Sequence, residues 1–536
     1  MMEINDYLFK IASHPEEFEQ IHKLNYQTFS EEIPQHEQNS EGVLVDKFHA
    51  ENTYIICLKN NVLAGMLCVR GKRPFSLDGK IGAVENHLTI QTENICEIRL
   101  LAVKKEYRNG RVFLKLAQFM AAYCLEAGYD TAVISGTTRE LKLYRQMGFL
   151  PFGHLTGTPE ASFQPLYLTE SSFKKSLAGR LLKDPAAFLP GPVNVTRKVM
   201  EALGTRPFSH RSQNFYRKMK QARQQLCRLA SAKDVQILFG SGSLANDVIA
   251  GQLSLLKGRG LILINGEFGQ RLKKHAERMG LPFEILEKDW GQPFGKEEIE
   301  AAVTEETEWI WAVHGETSTG MLNSMEMLKQ IASLAGLKLC LDCISSIGAV
   351  PINLEGVYLA SGVSGKAIGG LTGLSFVFHE SEPKYSYTIP SYLNLALYHQ
   401  AESTPFSQSS NLLEALITAL EECGEQRMEL ISSEYAYIRC ELEKRGFSVM
   451  ASRENSFPFI LTILMPESVS AEAVGKTLRW NGVILHYESG YLKERNWLQI
   501  ACNGNGRREE IDRMIAKLHQ SIRYEQSLAT SIRLLN

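Results

Sequence analysis

The sequence lacks several features that would assign its class directly. It has no large excess of charge, because 58 Lys and Arg residues are balanced by 60 Asp and Glu residues, for a formal net charge of −2. A basic excess is what neutralises nucleic-acid phosphates, so the composition gives no reason to expect that partner. No run of 18 or more uncharged apolar residues is present, and no membrane-spanning helix is predicted. The first residues include acidic side chains and no long apolar stretch, unlike a secretory signal.

The ten cysteines are scattered and form no recognisable disulfide framework. Such a pattern is typical of a reducing compartment, so we expect a cytoplasmic protein. Cys340 and Cys343 have CxxC spacing, but a structural zinc site needs four ligands and no second pair is nearby. Small core residues beside a buried strand are the simpler interpretation, and the sequence predicts no metal site.

At 536 residues the chain is too long for a single hydrophobic core. Mixed strand and helix patterns come first, including a hairpin over 53–70, and a stretch rich in proline and glycine follows. The expected segments are an N-terminal mixed α/β domain (1–170), a linker (171–187), a large domain (188–410) and a smaller C-terminal α+β lobe (411–536).

The large domain alternates apolar strand-like runs with amphipathic helices. The runs include VQILFG (235–240), LILING (261–266), EWIWAVHG (308–315) and LKLCLDC (337–343). Strands separated by helices predict a doubly wound parallel sheet that is buried on both faces. The predicted fold class is therefore α/β.

Three segments at the predicted strand ends suit a phosphorylated aromatic aldehyde. The Gly/Ser turn FGSGSLANDV (239–248) could hold a phosphate through backbone N–H groups, the hydroxyls of Ser241 and Ser243, and a helix N-terminus. Asp342 ends an apolar strand, where a pyridinium nitrogen would pair with its carboxylate. Lys366 lies among glycines and serines in SGVSGKAIGG, where a desolvated amine could form an imine.

Each segment also has a plainer interpretation. Gly/Ser turns are common, a strand-end Asp can cap a turn, and a loop lysine can be solvated. Phe268, in NGEFGQR, could stack on a cofactor ring or belong to the core.

In order and spacing these segments resemble the class V aminotransferases of pyridoxal-phosphate (PLP) fold type I, in particular the alanine–glyoxylate and 2-aminoethylphosphonate transaminases. The resemblance covers about 185–536. Further similar motifs are FLPGPVNVTRKVMEAL, SHRSQNFYRKM, VHGETSTGMLN, DCISSIGAVPINL and PFSQSSNLLEAL.

The resemblance implies PLP as the cofactor and a homodimer with shared active sites. The implied roles are the phosphate for Ser241, Gly242 and Ser243, the ring face for Phe268, the phenolic oxygen for Thr317, the pyridine nitrogen for Asp342, the imine for Lys366, and the phosphate of the neighbouring subunit for Ser407. Lys366 would also shuttle the proton between the substrate and the cofactor carbon.

Two positions depart from the family pattern. Gly365 stands where these transaminases often have Gln before the lysine. Gln499 stands where they usually have an Arg for the substrate acid, and a neutral amide cannot make the bidentate charged pair that Arg makes. Either another basic residue binds the acid, with Arg211 as one candidate, or the substrate has no acid group there.

The N-terminal domain resembles the GNAT acyltransferases, most specifically in LYRQMGF, which contains Tyr144. The phosphate-binding turn after Arg108 lacks the family's glycine pattern. The upstream half looks more like N-acyl amino acid and acyl-homoserine-lactone synthases, which implies Asp46, Glu97 and Arg99 near an attacking amine. Glu97 and Arg99 alternate on one face of a strand and could instead form a cross-strand ion pair.

The sequence therefore predicts a PLP-dependent transaminase, acting on small amines or amino acids and oxo acids or aldehydes, fused to an N-acyltransferase. The acyl donor would be an acyl-CoA or an acyl carrier protein. One alternative is a PLP-dependent lyase, decarboxylase or desulfurase with a non-catalytic GNAT-like domain. Another is a non-enzymatic scaffold, which the pairing of Asp342 with Lys366 argues against.

Overall fold

A computed structural model describes residues 7–33, 35–108, 110–157, 162–182 and 184–535, with the backbone alone from 528 onward. Backbone contacts divide the chain into two compact units. The first unit runs to Pro185 and adds Lys476–Val483 and the chain from Ala516, and the second comprises Ala186–Gly475 and Ile484–Ile515. The bounds of the four predicted segments stay predictions, and residues 1–6, 34, 109, 158–161, 183 and 536, which fall within those segments, lie outside the described residues.

The first unit contains one large sheet and several helices. Its strands are β1 (Tyr7–Ile11), β2 (Thr53–Lys59), β3 (Val62–Arg70), β4 (Ile95–Val103), β5 (Thr131–Thr137), β6 (Leu150–Pro151), β7 (Thr156–Gly157) and β8 (Ser162–Thr169). Its helices are α1 (Pro15–Tyr26), α2 (Asp78–Ile81), α3 (Arg111–Glu126), α4 (Leu141–Gln146), α5 (Glu170–Lys175) and α6 (Leu177–Arg180).

The sheet of the first unit has the order β1-β2-β3-β4-β5-β8-β6, with β7 paired to β8. All its strand pairs are antiparallel except β4 with β5. The predicted hairpin is β2–β3, and its turn residues Asn60 and Asn61 have φ values of 50° and 64°, as a two-residue hairpin turn requires. The apolar face of α3 packs on the sheet through Leu116, Phe119 and Met120.

The second unit begins at β9 (Ala186–Phe188). Its further strands are β10 (Asp234–Phe239), β11 (Arg259–Ile264), β12 (Phe283–Glu287), β13 (Thr307–Val313), β14 (Gly315–Glu316), β15 (Met321–Leu322), β16 (Lys338–Asp342), β17 (Leu359–Val363), β18 (Leu374–His379), β19 (Ser448–Val449), β20 (Ile460–Leu464), β21 (Val483–Leu485) and β22 (Trp497–Ala501).

Helices alternate with these strands. They are α7 (Arg197–Leu203), α8 (Gln213–Ala230), α9 (Gly242–Leu253), α10 (Glu267–Arg278), α11 (Lys296–Ala302), α12 (Met325–Ala335), α13 (Leu395–Gln400), α14 (Ser410–Glu422), α15 (Glu425–Lys444), α16 (Ala471–Trp480), α17 (Gly490–Arg495) and α18 (Arg508–Leu535). Of these, α16 and α18 also include residues that belong to the first unit. Among the described residues, no helix has both the length and the apolar character needed to cross a bilayer.

The main sheet of the second unit has the order β10-β18-β17-β16-β13-β11-β12. This arrangement confirms the predicted doubly wound α/β fold, and the four apolar runs are its strands β10, β11, β13 and β16. One strand differs from the all-parallel expectation, because β18 is antiparallel to both β10 and β17. A parallel crossover needs a dozen or more residues, and the connection from β17 to β18 is only the segment 364–373.

Beyond the main sheet, β19, β20 and β22 form a three-stranded antiparallel sheet. Four of the five residues of its middle strand β20 are buried, so this small sheet has a hydrophobic core of its own. Gln499 lies on β22 opposite Thr462 of β20.

Candidate functional site

The turn between β10 and α9 fits a phosphate. Ser241 is the residue that caps α9, and its own hydroxyl accepts no capping hydrogen bond, which leaves it available to a ligand. A Cβ atom on Gly242 would lie 2.6 Å from Ile344 Cδ1, so a larger residue in this first turn would require the Ile344 side chain to move. The N-terminal N–H groups of a helix this long favour an anion.

Asp342 ends β16 and is buried, with 4% of its surface exposed. Its carboxylate accepts hydrogen bonds from Asn246 Nδ2 and from the Ile344 N–H, both at 2.9 Å. Burial raises the pKa of Asp342, although these donors oppose the rise. The adjacent Asn246 Oδ1 is buried and accepts no hydrogen bond from the described residues. A buried carboxylate and an orphaned amide oxygen at one point fit the protonated ring nitrogen of PLP.

Lys366 lies in the connection between β17 and β18 and is partly buried. Burial lowers the pKa of Lys366 to about 8, Asp342 and Glu316 oppose that change, and the charge of Arg271 reinforces it. The amine therefore reaches its neutral, nucleophilic form close to physiological pH. Its Nζ atom lies 5.5 Å from the centroid of the Phe268 ring.

Gly365, the first departure from the family pattern, is explained by packing. A Cβ atom there would lie 2.6 Å from Thr372 Cγ2 and 3.0 Å from Thr372 Cα. Because the second contact is with backbone, a side chain such as Gln cannot be accommodated by a rotamer change. A Cβ on Gly191 would likewise lie 3.4 Å from Lys366 Cγ, so another glycine borders the lysine stem.

Glu316 is a buried residue of this site that the sequence analysis did not identify. Its carboxylate accepts hydrogen bonds from the N–H groups of Phe268 (3.3 Å), Gly269 (3.1 Å) and Ser318 (3.1 Å) and from the Ser318 hydroxyl. Burial raises the pKa of Glu316, and these donors oppose the rise. Glu316 thereby fixes the first turn of α10, which carries Phe268. The only signal in the sequence is a carboxylate three positions after the end of the apolar strand β13.

Gln499, the second departure, is fully buried, and its amide group is already bonded. Its Nε2 donates to Thr317 O (2.7 Å) and Thr462 Oγ1 (2.8 Å), and also lies 3.1 Å from Ser318 O. The Oε1 atom accepts hydrogen bonds from two further groups, His486 Nδ1 (2.9 Å) and Tyr491 OH (3.2 Å). Direct substrate contact stays a prediction, and it would require one of these bonds to open.

Of three other residues expected at the site, Thr317 is buried, whereas Arg211 and Ser407 are exposed. The Thr317 hydroxyl lies 2.6 Å from Ser345 Oγ within the buried region. Arg211 and Ser407 are exposed, and within the described ranges no hydrogen bond joins either side chain to the residues around Lys366. Arg271, which the sequence did not single out, has its guanidinium 4.7 Å from the Phe268 ring centroid.

In the first unit, Asp46, Glu97 and Arg99 form one connected group. Arg99 donates to both oxygens of Asp46, at 2.8 and 2.9 Å. Burial by itself would raise the pKa of Asp46, but the hydrogen bonds and charge of Arg99 outweigh it and hold that pKa below its ordinary value. Glu97 lies 3.6 Å from Arg99 Nε along the same strand, so the ion pair considered above exists within β4 and not across strands.

The Glu97 carboxylate is also anchored by the N–H groups of Ser76 and Leu77, each at 2.9 Å. Asp46 is the end of a polar chain that the sequence did not reveal. Asn52 Nδ2 donates to Asp46 Oδ1 at 2.9 Å and to the Tyr54 hydroxyl at 3.1 Å. His49 Nδ1 lies 3.2 Å from that hydroxyl.

The strand that carries this group is irregular. Leu100 has a φ of 54°, and the register between β3 and β4 shifts beside it. Strand β4 pairs with β5 only over Ile95–Glu97, and the two strands are not paired beyond that point. The bulge and the separation leave backbone amides of β4 without a partner from β5.

The remaining acyltransferase candidates are Arg108 and Tyr144, and the contacts described for them do not include Asp46. Arg108 donates to Val103 O and to Glu32 Oε2, both at 2.7 Å. Tyr144, on α4, packs so closely that a Cβ on Gly136 would lie 2.8 Å from its ring. Burial raises the pKa of Tyr144, and a hydrogen bond with Thr137 opposes the rise.

Comparison with known proteins gives matches to both units. The family described as aminotransferase class-V matches residues 194–389, and the family described as N-acyl amino acid synthase FeeM matches residues 20–171. A soluble hydrogenase small subunit from Synechococcus sp. is 28% identical over 312 residues, which are 54% of this chain and 80% of that protein. A 2-aminoethylphosphonate–pyruvate transaminase from Pseudomonas aeruginosa is 26% identical over 304 residues, 53% of this chain and 81% of that protein.

Among solved structures, the alanine–glyoxylate aminotransferase from Nostoc sp. is similar to the second unit. It has 25% sequence identity and a TM-score of 0.59, and the match covers 63% of this chain and 96% of that one. Residues 194–389 are therefore a class V aminotransferase domain with the fold type I of PLP enzymes, and residues 20–171 are an N-acyl amino acid synthase domain.

Proposed function

We propose that the Lys366 site binds PLP and moves an amino group between a small amine or amino acid and an oxo acid or aldehyde. The observation that carries this proposal is a partly buried lysine whose desolvation lowers its pKa to about 8, electrostatically coupled to the buried Asp342. When bound, PLP supplies an electrophilic aldehyde carbon and an electron-withdrawing ring.

The protein would contribute binding and proton transfer. Ser241, Ser243 and the first turn of α9 hold the phosphate, Asp342 keeps the ring nitrogen protonated, and Phe268 covers one ring face. Lys366 Nζ, in its neutral form, would take the proton from the substrate carbon and deliver it to the cofactor carbon.

We infer that Arg271, and not Gln499, binds an acid group of the substrate. The Gln499 amide already has protein partners on both ends, whereas Arg271 is half exposed and borders the Phe268 ring. The ion pair of Arg271 with Glu267 joins residues four apart on one helix and is in contact with solvent. Replacing Glu267 by a substrate carboxylate as the partner of Arg271 therefore costs little free energy.

The transaminase proposal is tested on the purified full chain with PLP and a panel of amino donors. We expect oxo-acid production and a change in the absorbance of protein-bound PLP, both lost in Lys366→Ala. Lys296→Ala changes an exposed lysine of α11 and serves as the control. Retained turnover in Lys366→Ala would contradict the proposal. Release of CO₂ or sulfide in place of an oxo acid would instead identify a decarboxylase or a desulfurase.

We further propose that the first unit transfers an acyl group from an acyl-CoA or an acyl carrier protein to an amine. The amine nitrogen bonds to the thioester carbonyl carbon, the carbon–sulfur bond breaks, and the thiol leaves with the proton that the amine loses. Asp46, held by Arg99, orients the amine, and the freed amides at the β4 bulge polarise the carbonyl.

This second activity is measured as free thiol released from an acyl-CoA in the presence of primary amines. Asp46→Asn should reduce the release, because it weakens the pair with Arg99 that places the carboxylate. Glu93→Gln, on an exposed residue before β4, should leave it unchanged. Equal thiol release in the wild type and in Asp46→Asn would rule out this role for Asp46.

For the assembly, we propose a cytoplasmic homodimer in which Ser407 reaches the phosphate of the other subunit. The ten free cysteines and the exposure of Ser407 support this proposal. Light scattering gives the mass in solution. A Ser407→Ala variant with weaker PLP binding in the dimer would then support the shared site.

A further inference from the structure

A second cluster of ligand-type side chains lies on β10 and β18 of the main sheet, at the strand ends opposite to those that flank Lys366. Strand β10 begins at Asp234 and the antiparallel strand β18 ends at His379, and these two residues are direct partners in the ladder. His399, from α13, lies beside them, and Gln236 lies two residues along β10. The candidate PLP-binding residues come from the other ends of the strands, so this cluster is a separate feature.

The polar atoms of these four side chains converge on one point. Asp234 Oδ2 is 3.5 Å from His379 Nε2 and 3.4 Å from His399 Nδ1. The terminal nitrogen of the Gln236 amide is 2.9 Å from His379 Nε2 and 3.4 Å from both His399 Nδ1 and Asp234 Oδ2. Among the described residues, the two histidines and the aspartate form a group that could hold a metal ion.

We propose that Asp234, Gln236, His379 and His399 bind one divalent cation of the zinc class. Nitrogen and oxygen ligands lie about 2.0–2.1 Å from Zn²⁺, so in a tetrahedron they are about 3.3 Å apart. The five separations given above, 2.9 to 3.5 Å, lie around that value. A donor set of two imidazoles and two oxygens favours such an ion over Mg²⁺ or Ca²⁺.

Gln236 joins the site by turning its amide. The Oε1 atom now accepts a hydrogen bond from Ser403 Oγ at 2.8 Å. A half-turn about the last side-chain bond exchanges the two ends of the amide. The Oε1 atom then points into the cluster as a ligand, and Nε2 donates to Ser403 Oγ.

The surroundings already orient the ligands as a metal site requires. His379 Nδ1 lies 3.0 Å from the carbonyl oxygen of Ser381, so the ring donates its proton there and turns the Nε2 lone pair into the cluster. Asp234 Oδ1 accepts from Arg223 Nη2 at 2.6 Å and from the Val235 N–H at 2.7 Å, which leaves Oδ2 for the cation. Asp234 and His399 are partly exposed, so an ion can enter.

A cation here would fasten α13 to the edge of the sheet. The chain that follows His399 passes through Glu402 and Ser403, whose φ values are 47° and 68°. It then reaches Ser407, so the ion would fix the start of the segment that carries this residue.

The test uses the untagged full chain after chelator treatment, with metal content followed by native mass spectrometry. We expect one Zn²⁺ per chain at micromolar concentrations and, with Co²⁺, the visible absorbance of a tetrahedral complex. His379→Gln and His399→Gln should each weaken binding at least about 10-fold, since loss of a mere supporting contact costs 10- to 100-fold. His154→Gln alters an exposed histidine of the first unit and should bind as the wild type does.

Two results would overturn the proposal. The first is absence of bound Zn²⁺ at 100-fold excess, which would mean that the hydrogen bonds among these side chains satisfy the cluster without an ion. The second is equal Zn²⁺ affinity in the wild type and His399→Gln. Circular dichroism establishes the fold of each variant, and Asp234→Asn replaces His379→Gln if the latter does not fold.

Discussion

Lys366 links the stability of the protein to pH. Its pKa is lowered from 10.5 to about 8 by burial, so between pH 8 and pH 10.5 the unfolded chain holds a proton there that the folded chain does not. Stability must then rise with pH across that window, by up to about 1.4 kcal/mol per pH unit, and is lost as the pH falls through 8. Urea unfolding of the PLP-free protein at pH 8, 9 and 10 measures this effect.

The variant Lys366→Met isolates the lysine, because it keeps an unbranched chain and removes the titrating group. The difference in unfolding free energy between wild type and variant should rise by about 1 kcal/mol per pH unit over this range. A difference that stays constant with pH would show that Lys366 is charged in the folded protein.

Gln499 is expected to resist conversion to the family's usual arginine. Two donors, His486 Nδ1 and Tyr491 OH, face its Oε1 atom, and Gln499→Arg would bring a buried cation against them. We expect a loss of about 2–4 kcal/mol in unfolding free energy and no gain in activity toward acidic substrates. Gln292→Arg, on an exposed loop, is the matched control. Improved turnover of acidic substrates by Gln499→Arg would assign the acid-binding role to this position.

At the scale of the element, the connection between β17 and β18 depends on a glycine that contacts backbone. Gly365→Ala places a Cβ atom 3.0 Å from Thr372 Cα, so the segment carrying Lys366 must shift. We expect about 1–3 kcal/mol of destabilisation and weaker PLP binding, measured by thermal unfolding and by absorbance titration.

The control for this variant is Gly424→Ala. Gly424 has open space around the position of a Cβ and an extended backbone, with φ at −169°. If both alanine variants lose the same stability and bind PLP equally, the close approach at Thr372 has no effect on the site.

Four strands of the main sheet, β10, β11, β13 and β16, were predictable because each lies in an apolar run between helical segments. The direction of β18 was not, since it follows from the length of the preceding connection and not from any pattern in LSFVFH. The bulge at Leu100 was also hidden, because nothing in an apolar strand sequence signals a positive φ.

The residues of the candidate site likewise divide into those that the sequence could predict and those that it could not. Asp342 and Lys366 could be predicted, since their residue types are unusual where they stand. Asn246 and Glu316 could not, because their roles depend on which element packs against them. The hydrogen-bonding capacity of the Gln499 side chain is filled in part by His486, thirteen positions away on another segment. A contact of that kind leaves no local signal in the sequence.

At the scale of the whole molecule, each compact unit carries one candidate chemistry. Lys366→Ala should abolish transamination and leave acyl transfer unchanged, and Asp46→Asn should do the reverse, because each residue lies within its own unit. Both activities are measured on each variant of the full chain. Loss of both activities in a single variant that remains folded would mean that the two reactions depend on each other.

The pairing of β18 on both of its sides also determines how the site moves. Because the chain enters and leaves the Lys366 segment through β17 and β18, each paired on both sides, displacing its backbone requires breaking ladder bonds of the sheet. Sheet cores open only on slow time scales, close to that of global unfolding. The motion needed in each catalytic cycle therefore falls to the flexible four-carbon stem of the lysine, which swings from a fixed main-chain anchor.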